Sequence, residues 1–427
     1  TSPHTTIVNH SKNLDKYIYP KMSAAAARRR KQILARKKQQ EEAAASGGPV
    51  LDPVSAQLQK LLQDDPESLK EEATAYEALQ LAQSQVRKKV HSGDYAEAVD
   101  LAFTASLTIV QQGRVSVASQ LMTVLANVLR ETHTKETPEL VDKLKTLHEA
   151  HSKAMEGRTG PETVRLNRLE RDWLRRCLQW SSDLGRIRFG NLKLQQLLAE
   201  QSWKLAKQMA AEDGDEGAGP MEVGDDEEEI DEVMELECDA VTHMALAEQP
   251  NLILEWLKTL PAPTEAETKT GHKCPPAVRD ALLTRAVLCL CAVENLRDAS
   301  ILVRGYLDSV EERKAEDLTK SYTAKDDGKA PSHVIFCSML IRVCEKDPRT
   351  GPLFTWLLRS FKRELDGLYK IPIIQSYTTK IGKIYFNIQP PPNMMNMLEN
   401  MMGMMGGGGG APGGINPAML QSMMQNM

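Results

Sequence analysis

Aromatic residues are scarce in this sequence of 427 residues: they make up 5% of it, whereas hydrophobic residues of all kinds make up 41%. Large β-sandwiches and β-barrels draw on aromatic and β-branched residues for their strands, so this composition disfavours both. A hydrophobic fraction built from Leu, Ala, Val and Met is typical of packed helices. We therefore expect an all-α protein.

The cysteines lack the spacing of a metal site or of a disulfide framework. There are seven, an odd number, and no two of them form a Cys-x-x-Cys pair. Most fall within apolar helical patterns, which is typical of buried thiols in a reducing compartment. We expect no metal site.

Long hydrophobic runs are missing as well. None approaches the roughly 18 residues that a membrane-spanning helix needs. The first residues also lack the apolar centre of a secretory signal. Met22 is followed by Ser and four Ala, as at a natural start, which leaves open whether residues 1–21 are native.

Motifs of catalysis are absent. The sequence contains neither a Gly-x-x-x-x-Gly-Lys-Ser/Thr phosphate loop nor a Gly-x-Ser-x-Gly nucleophile elbow. His148 and His151 enclose Glu149, but zinc proteases need two residues between the Glu and the second His. We interpret both histidines as exposed residues of a helix. We expect a protein without enzymatic activity, cofactor or small-molecule ligand.

Charge is distributed unevenly, although the net value is only −5. Residues 1–50 carry ten Lys and Arg against three acids, whereas residues 212–239 carry fifteen acids and no base. Such charge density buries too little apolar surface to fold. We therefore predict a basic disordered arm over residues 1–52 and an acidic disordered insertion over residues 211–239.

Helical periodicity begins near residue 53. Gly93 is placed to end one helix in the left-handed conformation, Asp94 to cap the next, and Glu97 to complete a capping box. Two apolar faces follow on that next helix, one of them at the spacing i, i+3, i+4, i+7 and i+11. The residues of this face are Ala98, Leu101, Ala102, Ala105 and Ile109. A helix that is apolar on two faces packs on two sides, as in a stacked array.

Similar stripes and turns return between residues 283 and 365, but without the strict period of roughly 34 residues that tetratricopeptide repeats have. We therefore predict an irregular, tetratricopeptide-like α-solenoid of stacked antiparallel helix pairs. Its N-terminal half covers residues 53–210 and its C-terminal half covers residues 240–389. One short strand around Ile371–Ser376 is the exception.

Residues 390–427 are rich in Met and Gly and begin with three prolines, which block a helix. Eleven of the nineteen Met residues lie here. Flexible thioether side chains suit surfaces that bind varied apolar segments, and copper binding is a rival explanation. We predict a disordered tail.

An ordered set of short strings resembles one family. The strings are SGDYAEA (92–98), RCLQWSS (176–182), GNLKLQQLLA (190–199), AVLCLC (286–291) with 295–299, and YTTKIGKIYFNIQ (377–389). The family is the fourth factor of the guided-entry pathway for tail-anchored proteins, also called the 35-kDa subunit of the transmembrane-domain recognition complex. In the last string, Asn387 stands where the family has Gly, and Asn also tolerates the left-handed conformation.

The resemblance implies a cytoplasmic α-solenoid with no activity of its own. In that family the N-terminal half binds the targeting ATPase that carries tail-anchored clients to the endoplasmic reticulum. The C-terminal half holds a ubiquitin-like-domain co-chaperone and, in animals, a BAG-type chaperone scaffold. The resemblance supplies no catalytic residues.

We predict two sets of partner contacts from the residues themselves. Arg87, Lys88 and Lys89 lie on an early helix and suit an acidic surface of the ATPase, unless they form only a solvated helix face. An apolar stretch of the C-terminal half suits a partner segment, unless it packs in the core. Its residues are Tyr369, Ile371, Ile373, Ile374 and Tyr377.

Two other functions stay open. One is a scaffold subunit of a different large cytosolic assembly of helical repeats. The other is a nucleic-acid-binding helical repeat that uses the basic arm. No aromatic residues interleave with the basic residues of the arm, which weakens the second alternative.

Overall fold

The computed structural model describes residues 52–213, 232–260, 278–309, 332–346, 348–368 and 370–389. The Met/Gly tail, and the basic arm except residue 52, lie outside these ranges. Within them the chain forms helices and no strand. The chain divides into two compact units, Thr1–Leu197 and Leu198–Met427.

The first unit is a stack of helices. In its described part these are α1 (Pro53–Gln59), α2 (Glu72–Ser92), α3 (Tyr95–Gln111), α4 (Val115–Glu131), α5 (Pro138–Ala154), α6 (Pro161–Leu184) and the start of α7 (Leu192–Asp213). A π turn at Lys60–Asp64 and a 3₁₀ turn at Pro66–Lys70 join α1 to α2. α3 packs against α2, α4 and α5, and α4 packs against α6. The predicted α-solenoid is confirmed.

The two apolar faces of α3 explain this stacking. Ala98, Ala102 and Ala105 are fully buried, and Val99 and Val110 are buried on the second face. The small alanines let neighbouring helices approach closely, while the valines fill the other side. Sequence periodicity therefore determines the position of α3 in the stack.

The turn between α2 and α3 confirms only part of its prediction. Gly93 ends α2 in the left-handed conformation with a φ of 87°. Asp94 occupies the N-cap position of α3, but its carboxylate accepts a hydrogen bond from Ser92 Oγ at 2.6 Å and makes no capping bond. Glu97 pairs with Lys89. The predicted capping box is therefore wrong.

The second unit is built around one buried helix. In the described ranges it contains the rest of α7, α8 (Glu232–Leu246), α9 (Pro250–Thr259), α10 (Val278–Ala292), α11 (Leu296–Ser309), α12 (Ser332–Cys344), α13 (Gly351–Ser360), α14 (Lys362–Asp366) and α15 (Ile371–Phe386). A 3₁₀ turn at Pro348–Thr350 precedes α13. Every residue from Ala281 to Ala292 of α10 is buried. α8, α11, α12 and α15 surround this helix.

The acidic insertion predicted over residues 211–239 is partly helical. α7 continues to Asp213 and α8 begins at Glu232, so the prediction of disorder is wrong at both ends. An apolar stripe at helical spacing explains the start of α8. Its residues Met234, Cys238, Val241 and Ala245 pack in the core of the second unit.

Lysines balance the acids of α8. Lys207 Nζ lies 2.8 Å from the carboxylate of Glu237, which is buried. Lys370 Nζ lies 2.6 Å from Glu235 and 3.4 Å from Asp239. The local charge density therefore predicted too much disorder in this segment, because the lysines that neutralise its acids are distant in sequence.

The strand predicted around Ile371–Ser376 is also wrong, since these residues open α15. Pro372 lies in the first turn of that helix, where its missing N–H is not needed. A short apolar run does not by itself distinguish a strand from a helix. After the helix, Asn387 takes the left-handed conformation that Asn tolerates, with a φ of 52°.

Six of the seven cysteines lie in the described ranges, and all six are free and buried, which confirms the prediction of buried thiols. Burial raises the pKa of Cys238 and of Cys289 to about 11, so these thiols stay protonated. Among the helices of these ranges, none combines the length and the apolar character that crossing a bilayer requires.

Candidate partner-binding surfaces

The outward face of α2 forms an open groove of about 610 Å³. Its lining consists of polar and basic residues spaced along that face. They are Gln80, Gln83, Ser84, Arg87, Lys88 and His91. Arg87 and Lys88 are exposed in the groove, in agreement with their predicted place on a helix surface.

Lys89 does not belong to this groove. Because successive residues of a helix point about 100° apart, its side chain turns away from Lys88. It forms an ion pair with Glu97 of α3 and is only 28% exposed. The structure therefore brings Arg87 and Lys88 together with His91 and assigns Lys89 to the contact between α2 and α3.

One residue that lines the groove, Lys88, already pairs with a carboxylate of its own chain. Lys88 Nζ lies 2.8 Å from Asp52 Oδ2, and Gln85 Nε2 donates to the same oxygen. The hydrogen bond from Lys88 lowers the pKa of Asp52, although burial opposes the shift. The groove thus has the chemistry of a carboxylate-binding surface.

The predicted apolar set of the C-terminal half does not form one surface. Tyr369 lies outside the described residues. Ile371 is 40% exposed and Ile373 is half-buried, whereas Ile374 is buried in the core. Tyr377 packs against the same core, and burial raises the pKa of its phenol. Contact of these residues with a partner stays a prediction.

Sequence reasoning missed two exposed apolar residues on α13. Leu353 and Trp356 lie one helical turn apart and are 45% and 48% exposed. The signal was present, because both fall outside the stripe that buries Phe354 and Leu357. Large apolar side chains exposed together are typical of protein–protein contacts, and Trp is enriched among the residues that dominate binding.

The interpretation of His148 and His151 as exposed residues is wrong. His148 is 8% exposed and His151 is fully buried. Each Nδ1 lies 2.8 Å from one carboxylate oxygen of Glu170, which α6 contributes from the neighbouring helix. The periodicity contained the signal, because both histidines continue the apolar stripe of Leu144 and Leu147 on α5.

This cluster joins two buried imidazoles to one buried carboxylate. Burial alone would raise the pKa of Glu170, but an electrostatic interaction with His151 and a hydrogen bond with His148 lower it to about 2. Nδ1 of His151 and Oε2 of Glu170 face each other without hydrogen-bond geometry. In the described part of the chain, no group of three or more His, Cys, Asp or Glu residues is arranged to hold a metal ion.

Comparison with known proteins decides the family. The model of the family described as Golgi to ER traffic protein 4 matches residues 92–405 of this chain. The chain belongs to the Golgi to ER traffic protein 4 family. This is the family that the short strings resemble, so the recognition made from the sequence is confirmed. Membership places the chain in the targeting of tail-anchored proteins.

Two relatives are similar over most of their length. Protein GET4 of Arabidopsis thaliana is 20% identical over 375 residues, which cover 83% of this chain and 97% of the plant protein. A solved structure described as the crystal structure of C. therm. Get4 is 22% identical, with a TM-score of 0.47. That similarity covers 85% of this chain and 98% of the solved one.

Of the two candidate surfaces of this Golgi to ER traffic protein 4 member, one lies inside the residues that the family model matches and the other lies outside them. Leu353 and Trp356 lie inside the matched residues. Arg87 and Lys88 precede residue 92, where the match begins. The groove on α2 therefore rests on the geometry of this chain alone.

Proposed function

We propose that this protein is a non-enzymatic cytoplasmic adaptor in the post-translational targeting of tail-anchored proteins to the endoplasmic reticulum. It bridges a targeting ATPase and a ubiquitin-like-domain co-chaperone. Family membership supports the pathway. The observation that supports bridging is that each of the two compact units has an exposed surface of different chemistry, basic in the first and apolar in the second.

The first unit binds the ATPase through the groove on α2. Arg87 and the 64% exposed Lys88 offer charge-assisted hydrogen bonds to carboxylates, and the guanidinium can hold one in a bidentate pair. Among the residues that line the groove, Asp52 pairs with Lys88 only, and acidic residues of the partner displace it or join it there. Lys89 supports the groove by fixing α2 on α3.

The second unit binds the ubiquitin-like co-chaperone through exposed apolar residues. If the protein comes from an animal, the same residues bind the BAG-type scaffold. Leu353 and Trp356 provide the anchor, and the exposed Ile371 and half-buried Ile373 at the start of α15 offer a second apolar contact. A buried Trp side chain contributes a large apolar area to an interface at a small loss of conformational freedom. No small-molecule ligand takes part.

Affinity purification with mass spectrometry of the full-length protein tests this role. Arg87→Glu combined with Lys88→Glu is expected to lose the ATPase and keep the co-chaperone. Trp356→Ala is expected to have the opposite effect. Separate losses identify a bridge, because a single shared surface would lose both partners in either variant.

Matched controls change exposed residues elsewhere. Lys60→Glu with Lys153→Glu repeats the charge change within the first unit, and Ile301→Ala removes an exposed apolar side chain of the second unit. Both controls should retain both partners. Recovery of neither partner with the unaltered protein overturns the proposed function.

A further inference from the structure

The loop between α6 and α7, residues 185–191, presents basic and apolar side chains in alternation. Arg186, Ile187, Arg188 and Phe189 are all exposed, Ile187 by 41% and Phe189 by 37%. A single exposed apolar residue needs no explanation in a folded protein. Four consecutive exposed side chains, alternately basic and apolar on a backbone held by hydrogen bonds, do need an explanation.

Hydrogen bonds hold the backbone of this loop. The carbonyls of residues 187, 188 and 189 all accept one, which is unusual for an exposed connection. The donors are Gly190 N, Ser182 Oγ and Gln195 Nε2, the first two at 2.9 and 2.8 Å. These three hydrogen bonds restrain the backbone of the loop in the absence of a partner.

Glycines close both ends of the loop against the protein. Gly190 has a φ of 85°, and a Cβ there would lie 2.6 Å from Leu178 Cδ1. A Cβ on Gly185 would lie 2.3 Å from the carbonyl oxygen of Ser181 and 2.5 Å from Glu136 Oε2. Only glycine allows the chain to pass this close to α6 at both points.

The loop rests on a polar network beneath it. Glu136 accepts hydrogen bonds from Ser181 Oγ and from Asn191 Nδ2, the latter at 2.8 Å. Ser181 Oγ in turn accepts from the backbone N–H of Asn191 at 2.7 Å. Next to this network, the indole of Trp180 donates to the carbonyl of Thr134 at 2.8 Å. The segment before α5 and the end of α6 thus form a common base.

The loop itself is basic. It contains two Arg and no acid. The acid closest in sequence, Asp183, lies 3.8 Å from Arg130, and Glu136 is engaged in the network below. A partner at this surface therefore meets a net positive charge.

We propose that this loop is a docking surface for an acidic segment of a partner protein in which carboxylates alternate with apolar side chains. The guanidinium groups pair with the carboxylates, and Ile187 and Phe189 bury the apolar side chains between them. A fixed loop loses little conformational freedom on binding, which favours affinity. The proposal does not depend on the adaptor role, because neither surface assigned to that role includes the loop.

The rigidity of the loop favours a protein partner over an anionic membrane. Membranes attract basic segments through summed charge, for which flexible segments suffice. A backbone fixed by three hydrogen bonds is useful when the partner has a defined spacing of its own groups. The partner is therefore a peptide segment, and binding to vesicles is the competing outcome of the test.

Fluorescence anisotropy with full-length protein tests the proposal. The probe is a short labelled peptide in which Asp and Glu alternate with Leu and Phe. Arg186→Glu with Arg188→Glu, and separately Ile187→Ser with Phe189→Ser, are each expected to weaken binding at least about tenfold. Ser182→Ala, which alters none of the four displayed side chains, should weaken it less, by about threefold.

A matched control changes the exposed residues of α11 in the same way, with Arg304→Glu and Ile301→Ser, and should bind as the unaltered protein does. Thermal melting confirms that all variants are folded. The proposal is overturned if the peptide does not bind, if the loop variants bind it as the control does, or if vesicles of phosphatidylserine bind the loop in preference to the peptide.

Discussion

The imidazole Nδ1 of His333 lies 3.0 Å from Thr284 Oγ1 in the core of the second unit, where α12 packs on α10. Burial lowers the pKa of His333 to about 4, although Glu364 acts in the opposite direction. A histidine of this kind is neutral in the folded protein and takes up a proton on unfolding.

The stability of the second unit should therefore fall in mild acid. Above the ordinary pKa of 6.5, His333 is neutral in both the folded and the unfolded protein, so the free energy of unfolding is not reduced. As the pH falls from 6.5 towards 4, only the unfolded protein takes up the proton, and the free energy of unfolding decreases. Urea unfolding should show a loss of about 2 kcal/mol between neutral pH and about pH 5 from this residue. His333→Gln removes the titrating group and should reduce the loss. An equal loss in the variant would show that other groups cause it.

Glu170 should have a large effect on the stability of the first unit. Removing the carboxylate leaves two buried imidazoles without their partner, so Glu170→Gln should lower the free energy of unfolding by about 3 kcal/mol. Asp172→Asn, at an exposed site two residues further along α6, is the matched control and should change it by less than about 0.5 kcal/mol. Thermal melting compares the two variants.

Glu170 should also make the stability of the first unit depend on pH in acid solution. Its folded pKa of about 2 lies below the ordinary value of 4.5, so its contribution is complete above 4.5 and is lost as the pH falls from there towards 2. Unfolding of Glu170→Gln should be less sensitive to pH within this range. Equal sensitivity in the variant would contradict the assignment.

Gly190 should tolerate alanine less well than Gly157 does, although both have positive φ values, 85° and 72°. Gly157→Ala meets no atom within 4 Å and should cost only the left-handed conformation, about 1 kcal/mol. Gly190→Ala also collides with Leu178 and should cost about 3 kcal/mol. Chemical denaturation measures the free energy of unfolding of both variants. Equal losses would mean that the loop moves to accommodate the added methyl group.

The close approach of α3 to its neighbours should make it sensitive to added volume. Ala102→Leu enlarges a fully buried side chain and should lower the free energy of unfolding by about 2 kcal/mol. Thr104→Leu, at an exposed position on the same helix, adds comparable volume and should change it by less than about 0.5 kcal/mol. Similar effects at the two positions would contradict the tight packing.

Local sequence patterns predicted the helices because the determinants are local. Gly93 and the two apolar faces of α3 act over a few residues, and each is visible in the sequence. The errors came from distant partners. Glu170 follows His148 by 22 residues and explains its burial, while the lysines that balance α8 are as far away as Lys370. Periodicity gives the position of a residue on its helix, not what lies opposite.

The same limit applies to the candidate surfaces. Arg87 and Lys88 were predictable because a basic pair on a polar helix face is exposed. Helix geometry predicts that Lys89 points away from Arg87 and Lys88. Its ion pair with Glu97, in contrast, could be seen only in the folded structure. The position of Trp356 outside the stripe that buries Phe354 and Leu357 is visible in the sequence, but the part of α13 that neighbouring helices leave uncovered is not.

The burial of α10 has a consequence for synthesis on the ribosome. In the first unit α2, α3 and α4 each contact the next helix or the next but one, so each can pack soon after it emerges. α10 is covered partly by α15, which ends at Phe386. The nascent second unit therefore exposes the apolar side of α10 until almost all of its described residues have been translated, and this interval is when it most needs a chaperone.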